Sequence, residues 1–595
     1  MRFFRTMLAS MFGFILAFFL LFLVIMISVL TSQRETEPYI RDGSVLQINL
    51  QGPLPERATE DPFEMLFMDR DQQPVNMQSL HNNLRKAAAD ERISGVLLKV
   101  NAMSTSWSQL EEARQMIKEF KEESDKFIYA ATNDIGFNEQ GYYIATAADS
   151  IFAPPETFFQ FKGFRANVEF YGGLLDRIGV EVDEVTSGPY KSPGVFSHRD
   201  QLDPENREQL EALISRISTL FTEAVSEKSG MSVAEVDELL NERPRMRMSF
   251  AKEYGLVDEF LYPDAIEERI ISRAEEAGHR RPEIVKLSRY NRVSTGTAGV
   301  DEYTGSEKIA VIYAGGPILP QTSEGIFPGQ QNVITANRVL QQIEDIEEDD
   351  DVKAVVLRIN SPGGSPDTSD LIWERLKRLS AEMPVVASMG PVAASGGYYI
   401  AAGTDTIVAS SSTITGSIGV IGTLVNFQDL YEDHLRISVD KVKSHDWADW
   451  MDPDRRMTDQ EKAFFEDLVD ELYDTFLDRM AESRDLTREE IHEVAQGRIW
   501  TGEDALDRGL IDAVGGLRTS IDMAGEMAEL EDYNIEIFPK PKSLLEQLSI
   551  SSQVRIQQLL NPDFPGLDKL RALEQLEVIS RPGGLFMLPY EIEVN

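Results

Sequence analysis

The chain has 595 residues, with 58 Lys and Arg against 100 Asp and Glu, and a formal net charge of −42. So acidic a surface repels phosphate backbones, which argues against nucleic-acid binding. One ordinary domain has about 100–200 residues, so we expect several domains or a duplicated one. The chain has no cysteine, which excludes disulfides, thiolate metal sites and a cysteine nucleophile.

The N-terminal segment carries no charge from Met7 to Leu30 and is apolar on every helical face. As a helix it is long enough to cross a hydrocarbon core of about 30 Å, and too long for the apolar part of a cleaved signal peptide. Two arginines precede it, so the positive-inside rule keeps the N-terminus in the cytoplasm. We expect residues 1–34 to form a cytoplasmic N-terminus and one signal anchor, with residues 7–30 in the lipid bilayer.

Three segments of the chain recur in the same order, about 255–260 residues apart. GVLLKVN at 95–101 returns as AVVLRIN at 354–360, GYYIATAADSIFA at 141–153 as GYYIAAGTDTIVA at 397–409, and GLVDEF at 255–260 as GLIDAV at 509–514. Two copies of one domain explain this pattern. We predict an N-terminal repeat over 42–275, a connector over 276–306, a C-terminal repeat over 307–540 and a C-terminal segment over 541–595.

Each repeat alternates short β-branched runs with helical patterns. In the second repeat a buried-strand pattern at 354–360 is followed by a helical pattern at 367–379 and a further strand pattern at 385–389. Alternating βαβ units favour an α/β fold with largely parallel strands.

The two copies differ after the first shared strand. The second copy reads NSPGGS at 360–365, where the first reads NAMSTS at 101–106. Gly363 and Gly364 at a strand end can turn backbone N–H groups outward, as in an oxyanion hole or an anion nest. A plain turn is an equally good interpretation of this motif alone.

Ser395 marks a second difference, because Glu139 takes its place in the first copy. It lies between Ala394 and Gly396 at a predicted helix N-terminus, so its hydroxyl is uncrowded and developing negative charge is favoured. A nucleophile and a helix N-cap both fit this position.

Lys191 marks the opposite difference: aligning 180–192 with 437–449 places it opposite Ala448. To act as a general base, its pKa must fall from about 10.4 toward 7, which burial without a carboxylate partner supplies. A solvated loop lysine is the alternative. The six histidines show no HExxH spacing, which argues against a zinc protease, while a Ser-His-Asp triad stays open.

The apolar anchor, the duplicated α/β domain and four motifs together resemble the signal peptide peptidase A family, the long tandem-repeat form of the membrane-bound serine proteases. The motifs are RINSPGG at 358–364, PVAASGGYYIA at 391–401, TGSIGV at 415–420 and SGPYKSPG at 187–194. The resemblance implies a Clp protease/crotonase type of fold and a Ser/Lys-dyad endopeptidase. It makes Ser395 the nucleophile and Lys191 the general base.

The same resemblance implies further roles and partners. Gly363, Gly364 and Gly396 would form the oxyanion hole, and Ser417 would hold the lysine amine. No cofactor and no metal are expected. Hydrophobic signal-peptide remnants would be the substrates of a homotetramer in the bacterial inner membrane, with one span and a periplasmic catalytic part.

Two other functions remain open on the sequence. An acyl-CoA hydratase or isomerase of the same fold would use the glycine loop to polarise a thioester, and it needs neither an anchor nor a Ser/Lys pair. A non-catalytic, membrane-anchored assembly scaffold would have kept the fold and lost the chemistry. A Lys191 amine far beyond hydrogen-bond reach of Ser395 would favour the scaffold.

Overall fold

A computed structural model describes most of the chain. The described residues are 37–58, 74–132, 136–191, 199–279, 281–300, 305–320 and 333–540, with Gly13 and the strand Phe586–Met587. The predicted anchor therefore lies outside the described residues, apart from Gly13, and so does most of the predicted C-terminal segment. Within the described ranges, no helix is both long and apolar enough to cross a membrane.

The N-terminal repeat is built around a parallel sheet of six strands, in the order β10-β1-β2-β3-β5-β9. A smaller sheet has the order β4-β6-β8. The strands are β1 (Ser44–Gly52), β2 (Ile93–Met103), β3 (Phe127–Ala131), β4 (Gly136–Phe137), β5 (Ser150–Ala153), β6 (Phe158–Gln160), β7 (Glu181–Thr186), β8 (Arg245–Arg247), β9 (Glu259–Phe260) and β10 (Ile284–Lys286). The α-helices are α1 (Met77–Ala89), α2 (Trp107–Glu123), α3 (Glu139–Ala145), α4 (Gly172–Ile178), α5 (Pro204–Ser229), α6 (Val233–Glu242), α7 (Met248–Ala251), α8 (Pro263–Glu276) and α9 (Leu287–Tyr290).

The C-terminal repeat is built around a larger sheet, in which β18-β16-β14-β12-β11-β20 form the main path and β15 and β19 continue from β14. The strands are β11 (Lys308–Gly315), β12 (Val352–Ser361), β13 (Gly363–Gly364), β14 (Val385–Ala394), β15 (Thr406–Ala409), β16 (Ile414–Gly416), β17 (Ile421–Asn426), β18 (Ile499–Thr501), β19 (Ala513–Val514) and β20 (Asn534–Phe538), with β21 (Phe586–Met587) paired to β13. The α-helices are α10 (Ala336–Glu347), α11 (Pro366–Ser380), α12 (Gly396–Ala401), α13 (Asp459–Ser483), α14 (Arg488–Val494), α15 (Gly502–Asp507) and α16 (Leu517–Met527).

The two repeats have the same topology. The order β20-β11-β12-β14-β15-β19 in the second repeats β10-β1-β2-β3-β5-β9 in the first. The predicted α/β class and duplication are therefore confirmed, while the Clp protease/crotonase type stays a prediction. One boundary is corrected: β10 and α9 lie within the predicted connector 276–306, yet β10 pairs with β1 and so belongs to the first sheet.

Strand β12 shows why the central strands read as continuous apolar runs. Leu357 and Ile359 pack into the core on one face of the sheet, and Ala354 and Val356 pack into a second cluster on the other face. A strand covered on both faces needs apolar residues on both of them, so its apolar residues are not confined to alternate positions.

Strand pairing and a buried ion pair are among the contacts that join the two repeats. Strand β7 of the first pairs antiparallel with β17 of the second. On strand β12 of the second repeat, the buried guanidinium of Arg358 lies 2.7 Å from Glu56 and 2.6 Å from Glu112, which both belong to the first repeat. Since Arg358 has only 1% of its side chain exposed, its charge is compensated by the other repeat rather than by water.

We expect Arg358→Met to lower the free energy of unfolding by about 3–5 kcal/mol, because it leaves buried carboxylates without their cation. Urea unfolding measures the loss. The control is Arg378→Met, which breaks an exposed pair with Glu374 and should cost less than about 1 kcal/mol. Equal losses in the two variants would contradict a structural role for the buried pair.

Candidate active site

Ser395 lies at the junction of β14 and α12 with a strained backbone. Its φ is 55°, in the left-handed region that non-glycine residues avoid. Its N–H donates to the Gly416 carbonyl at 2.8 Å, and its carbonyl accepts from the Tyr399 N–H at 2.8 Å. Although Ser395 occupies the N-cap position of α12, its side chain makes no capping hydrogen bond. The hydroxyl is therefore left for another partner.

That partner is Lys191, which follows β7 of the other repeat. Its Nζ lies 2.8 Å from the Ser395 Oγ, and both residues are fully buried. The alternative of a solvated loop lysine is therefore wrong. The sequence predicted that the two residues act together, and the fold brings them into direct contact across the junction of the repeats.

Ser417 completes the surroundings of the amine. The Lys191 Nζ lies 2.9 Å from the Ser417 Oγ and 3.1 Å from its carbonyl oxygen. Ser417 also has a positive φ, of 51°, and its N–H donates to the Arg498 carbonyl at 2.7 Å. The lysine amine thus has three oxygen neighbours, all from the C-terminal repeat.

Burial lowers the pKa of Lys191 well below its usual value, and no carboxylate among the described residues opposes this effect. In this environment the charged ammonium would lose its hydration without gaining a counter-ion. Burial therefore shifts the equilibrium toward the neutral amine, which can accept a proton.

The glycine loop lies next to the nucleophile candidate. Gly363 and Gly364 have φ values of 103° and 154°, which only glycine adopts readily. A side chain added to Gly396 would stand 3.1 Å from the Gly364 N. The Gly363 N–H already donates to the Ser361 Oγ at 3.2 Å. The loop therefore approaches the residue after Ser395, as an oxyanion hole requires.

One element of the site was not predicted from the sequence. It is the turn at residues 495–498, which packs against the backbone of Lys191. A Cβ on Gly497 would stand only 2.3 Å from the Lys191 Cβ. Next to this turn, the Gln209 Oε1 accepts from the Ile499 N–H at 3.0 Å, and its amide donates to the Tyr190 carbonyl at 3.3 Å. The sequence does contain a signal for this turn, because the two repeats differ there. Aligning β8 with β18 places Arg243 of the first repeat opposite Gly497 of the second.

A buried serine hydroxyl in contact with a buried lysine amine, beside a glycine loop, is an arrangement that can support nucleophilic catalysis. A family model described as Peptidase family S49 matches residues 121–276 and 377–531, one range in each repeat. The chain belongs to this family, and it is a serine peptidase by that membership. The family resemblance inferred from the motifs is confirmed.

Curated relatives agree with this assignment. The chain is 34% identical over 492 residues to "Serine protease SPPA, chloroplastic" of Arabidopsis thaliana, covering 82% of this chain and 70% of the relative. It is 28% identical over 495 residues to "Protease 4" of Salmonella typhi, covering 80% and 76%. It is 24% identical over 594 residues to "Protease 4" of Haemophilus influenzae, covering 96% and 94%.

The buried lysine has a consequence for stability. In the unfolded chain Lys191 is protonated below about pH 10.4, whereas burial lowers its pKa in the folded chain. Between the folded and unfolded pKa values the unfolded state binds the extra proton, so this residue's contribution makes the protein more stable as pH rises.

We therefore expect Lys191→Met to raise the free energy of unfolding at pH 7 by about 0.5–2 kcal/mol, and the gain to shrink as pH approaches 10. Denaturant unfolding at several pH values measures this. Lys462→Met, at a half-exposed lysine, is the control and should change stability little. A destabilised Lys191→Met variant at pH 7 would contradict the burial of a neutral amine.

Proposed function

We propose that the protein is a serine endopeptidase whose Ser395 nucleophile and Lys191 general base come from different repeats. The observation that carries the proposal is the 2.8 Å contact between the Lys191 Nζ and the Ser395 Oγ in a fully buried setting. A general base must be within hydrogen-bond reach of the proton it removes and must be unprotonated at working pH. The contact distance meets the first condition, and the burial that lowers the pKa of Lys191 supports the second.

The three neighbours of the amine fit its neutral form. A neutral amine has two N–H donors and one lone pair. The carbonyl and hydroxyl oxygens of Ser417 accept the two N–H groups, which leaves the lone pair for the Ser395 hydroxyl. In this role Ser417 is a positioning residue, because it orients the base and does not touch the reacting carbonyl.

The chemical steps follow from this geometry. Lys191 takes the Ser395 proton as Oγ attacks the peptide carbonyl, and the resulting ammonium donates that proton to the leaving amine. Lys191, neutral again, then activates the water that hydrolyses the acyl-enzyme. The N–H groups of Gly364 and Gly396 are the proposed oxyanion donors, because the Gly363 N–H is already used by Ser361.

The proposed substrates are hydrophobic signal-peptide remnants, cut after their release. Support comes from the family membership and from the apolar segment 7–30, which would hold the peptidase at the membrane where such remnants lie. We likewise propose a bacterial inner-membrane location with a periplasmic catalytic part, and a homotetrameric assembly.

The two competing functions lose support. The scaffold interpretation needs the amine and the hydroxyl to be far apart, whereas they are in contact. A hydratase has no use for a nucleophilic serine and a buried neutral lysine in direct contact.

A fluorophosphonate probe should label Ser395, with a rate that rises with pH as the Lys191 amine loses its proton. Because burial lowers the pKa of Lys191, the midpoint should lie well below the usual value of about 10.4. In Lys191→Ala the labelling should fall at least about 100-fold and lose this pH dependence. Labelling of Lys191→Ala at the native rate would refute the lysine as base.

Cleavage of a synthetic signal-peptide remnant in detergent should fall at least about 1000-fold in Ser395→Ala and in Lys191→Ala, with unfolding still cooperative. The matched controls are Ser520→Ala and Lys86→Met, at buried residues outside the site. Both controls should keep the native kcat. Wild-type cleavage of a polar peptide in preference to the apolar remnant would contradict the substrate class.

A further inference from the structure

Tyr190, the residue before Lys191, is held both by its main chain and by its side chain. Its N–H donates to the Gln496 carbonyl at 3.2 Å, and its carbonyl accepts from the Gln209 amide at 3.3 Å. Its hydroxyl accepts from the Arg498 Nη1 at 3.1 Å, and the Arg498 guanidinium lies 4.8 Å from the centre of the ring. The backbone that leads into the lysine is therefore fixed through the residue before it.

Arg498 also contacts the other side of the base, through its main chain. Its carbonyl accepts the Ser417 N–H at 2.7 Å, and the hydroxyl and carbonyl oxygens of Ser417 lie next to the Lys191 amine. The neighbouring Gly497 N–H donates to the Ile418 carbonyl at 2.8 Å. One residue thus touches both the segment that carries the lysine and the segment that receives its amine.

The Arg498 guanidinium is itself held by neighbours from both repeats. Its Nη2 lies 2.8 Å from Glu208 of α5, and the guanidinium lies over the Trp500 ring, 4.1 Å from its centre. The indole N–H of Trp500 donates to the Val494 carbonyl at 2.8 Å, which fixes the ring. Only 19% of the Arg498 side chain is exposed. A planar guanidinium makes these contacts at once, whereas a lysine ammonium does not present the same fork of donors.

The first repeat shows which part of this arrangement belongs to the shared fold. There, the Phe161 N–H donates to the Pro244 carbonyl at 2.8 Å. Aligning β6 and β8 with β16 and β18 makes these two residues the counterparts of Ser417 and Arg498. The main-chain contact is therefore common to both repeats. The arginine side chain occurs only in the repeat that receives Lys191, so the shared topology does not require it.

We propose that the Arg498 side chain is a positioning residue for the general base, which it holds through Tyr190. With Tyr190 fixed, the amine of the next residue stays between Ser395 and Ser417. This role rests on the Ser/Lys dyad proposed above and adds to it the residue that aligns the two repeats at the base. Arg498 acts through Tyr190 and not on the reacting atoms, so its loss displaces the amine without removing it.

Displacement of the amine has an effect that loss of stability alone does not have. The pKa of Lys191 is low because burial removes water from the amine, and the serines around it carry no charge. An amine that is no longer held in place gains access to water, and its pKa then returns toward about 10.4. A misplaced base is therefore detected as a shift of the pH profile to higher pH.

The test is the rate at which a fluorophosphonate labels Ser395, measured against pH with the full chain in detergent. In Arg498→Met we expect the rate at pH 7 to fall at least about 10-fold and the midpoint to rise by about one pH unit. Methionine keeps a long side chain, and the main-chain contact with Ser417 is unchanged. With a synthetic signal-peptide remnant, kcat should fall while KM stays near its native value.

The matched control is Arg508→Met. Arg508 lies over the same Trp500 ring, 3.7 Å from its centre, and pairs with Asp504. Within the described part of the chain, no hydrogen bond joins Arg508 to Tyr190. This variant also removes one positive charge, and it should keep the native rate and midpoint. An equal shift in Arg508→Met would assign the effect to charge alone and overturn the proposal. Urea unfolding checks that both variants remain folded.

Tyr190→Phe is the second variant, since it removes the hydroxyl that accepts from Arg498 and keeps the ring. We expect its midpoint to move in the same direction. The double variant should be no slower than Arg498→Met alone, because the two changes break one contact. A reduced rate with an unchanged midpoint in Arg498→Met, or effects that multiply in the double variant, would overturn the proposal.

The wild-type profile separates this proposal from the proposed chemistry. Wild-type labelling that lacks the pH dependence of a lysine would refute the dyad, and with it the role of Arg498. A normal wild-type profile that is unchanged in Arg498→Met would refute the role of Arg498 alone.

Discussion

The burial of the Lys191 amine among uncharged groups is the constraint on which the rest of the site depends. A lysine amine remains neutral near neutral pH only where water and carboxylates are kept away. Here that environment consists of two serines and a carbonyl, all supplied by the repeat that does not carry the lysine. The proposed base therefore depends on the two repeats being held together, and the junction between them is part of the proposed site.

Contacts from both repeats hold the two halves of the site together. The pairing of β7 with β17 fixes the strand that leads to the lysine. The turn at Gly497 packs closely against the Lys191 backbone and leaves no room for it to shift toward that turn. Gln209 links the Tyr190 carbonyl to the Ile499 N–H of β18. Arg358 and its two carboxylates hold β12, the strand that precedes the glycine loop. Each contact joins one repeat to the other.

Much of the fold and of the candidate site could be predicted because the sequences of the two repeats can be compared with each other. Positions that differ between the copies led to Ser395, Lys191 and the glycine loop, and shared segments gave the α/β fold. The carboxylates paired with Arg358 were missed because Glu56 and Glu112 look like ordinary surface residues until the second repeat covers them. The extent of the first repeat was missed because β10 is a short edge strand in a polar stretch. Contacts between the repeats produce no periodic pattern in the sequence of either repeat.

Complementary losses also explain why the two copies stay in one chain. At the position of the serine, the first repeat has Glu139 in the first turn of α3, where its carboxylate accepts the Lys162 N–H. A carboxylate is stabilised at a helix N-terminus, so this position has become structural. At the position of the lysine, the second repeat has the exposed Ala448. In the proposed dyad, each repeat keeps the half of the site that faces its covalent neighbour. Two separate single-repeat chains would have to associate before either half could act.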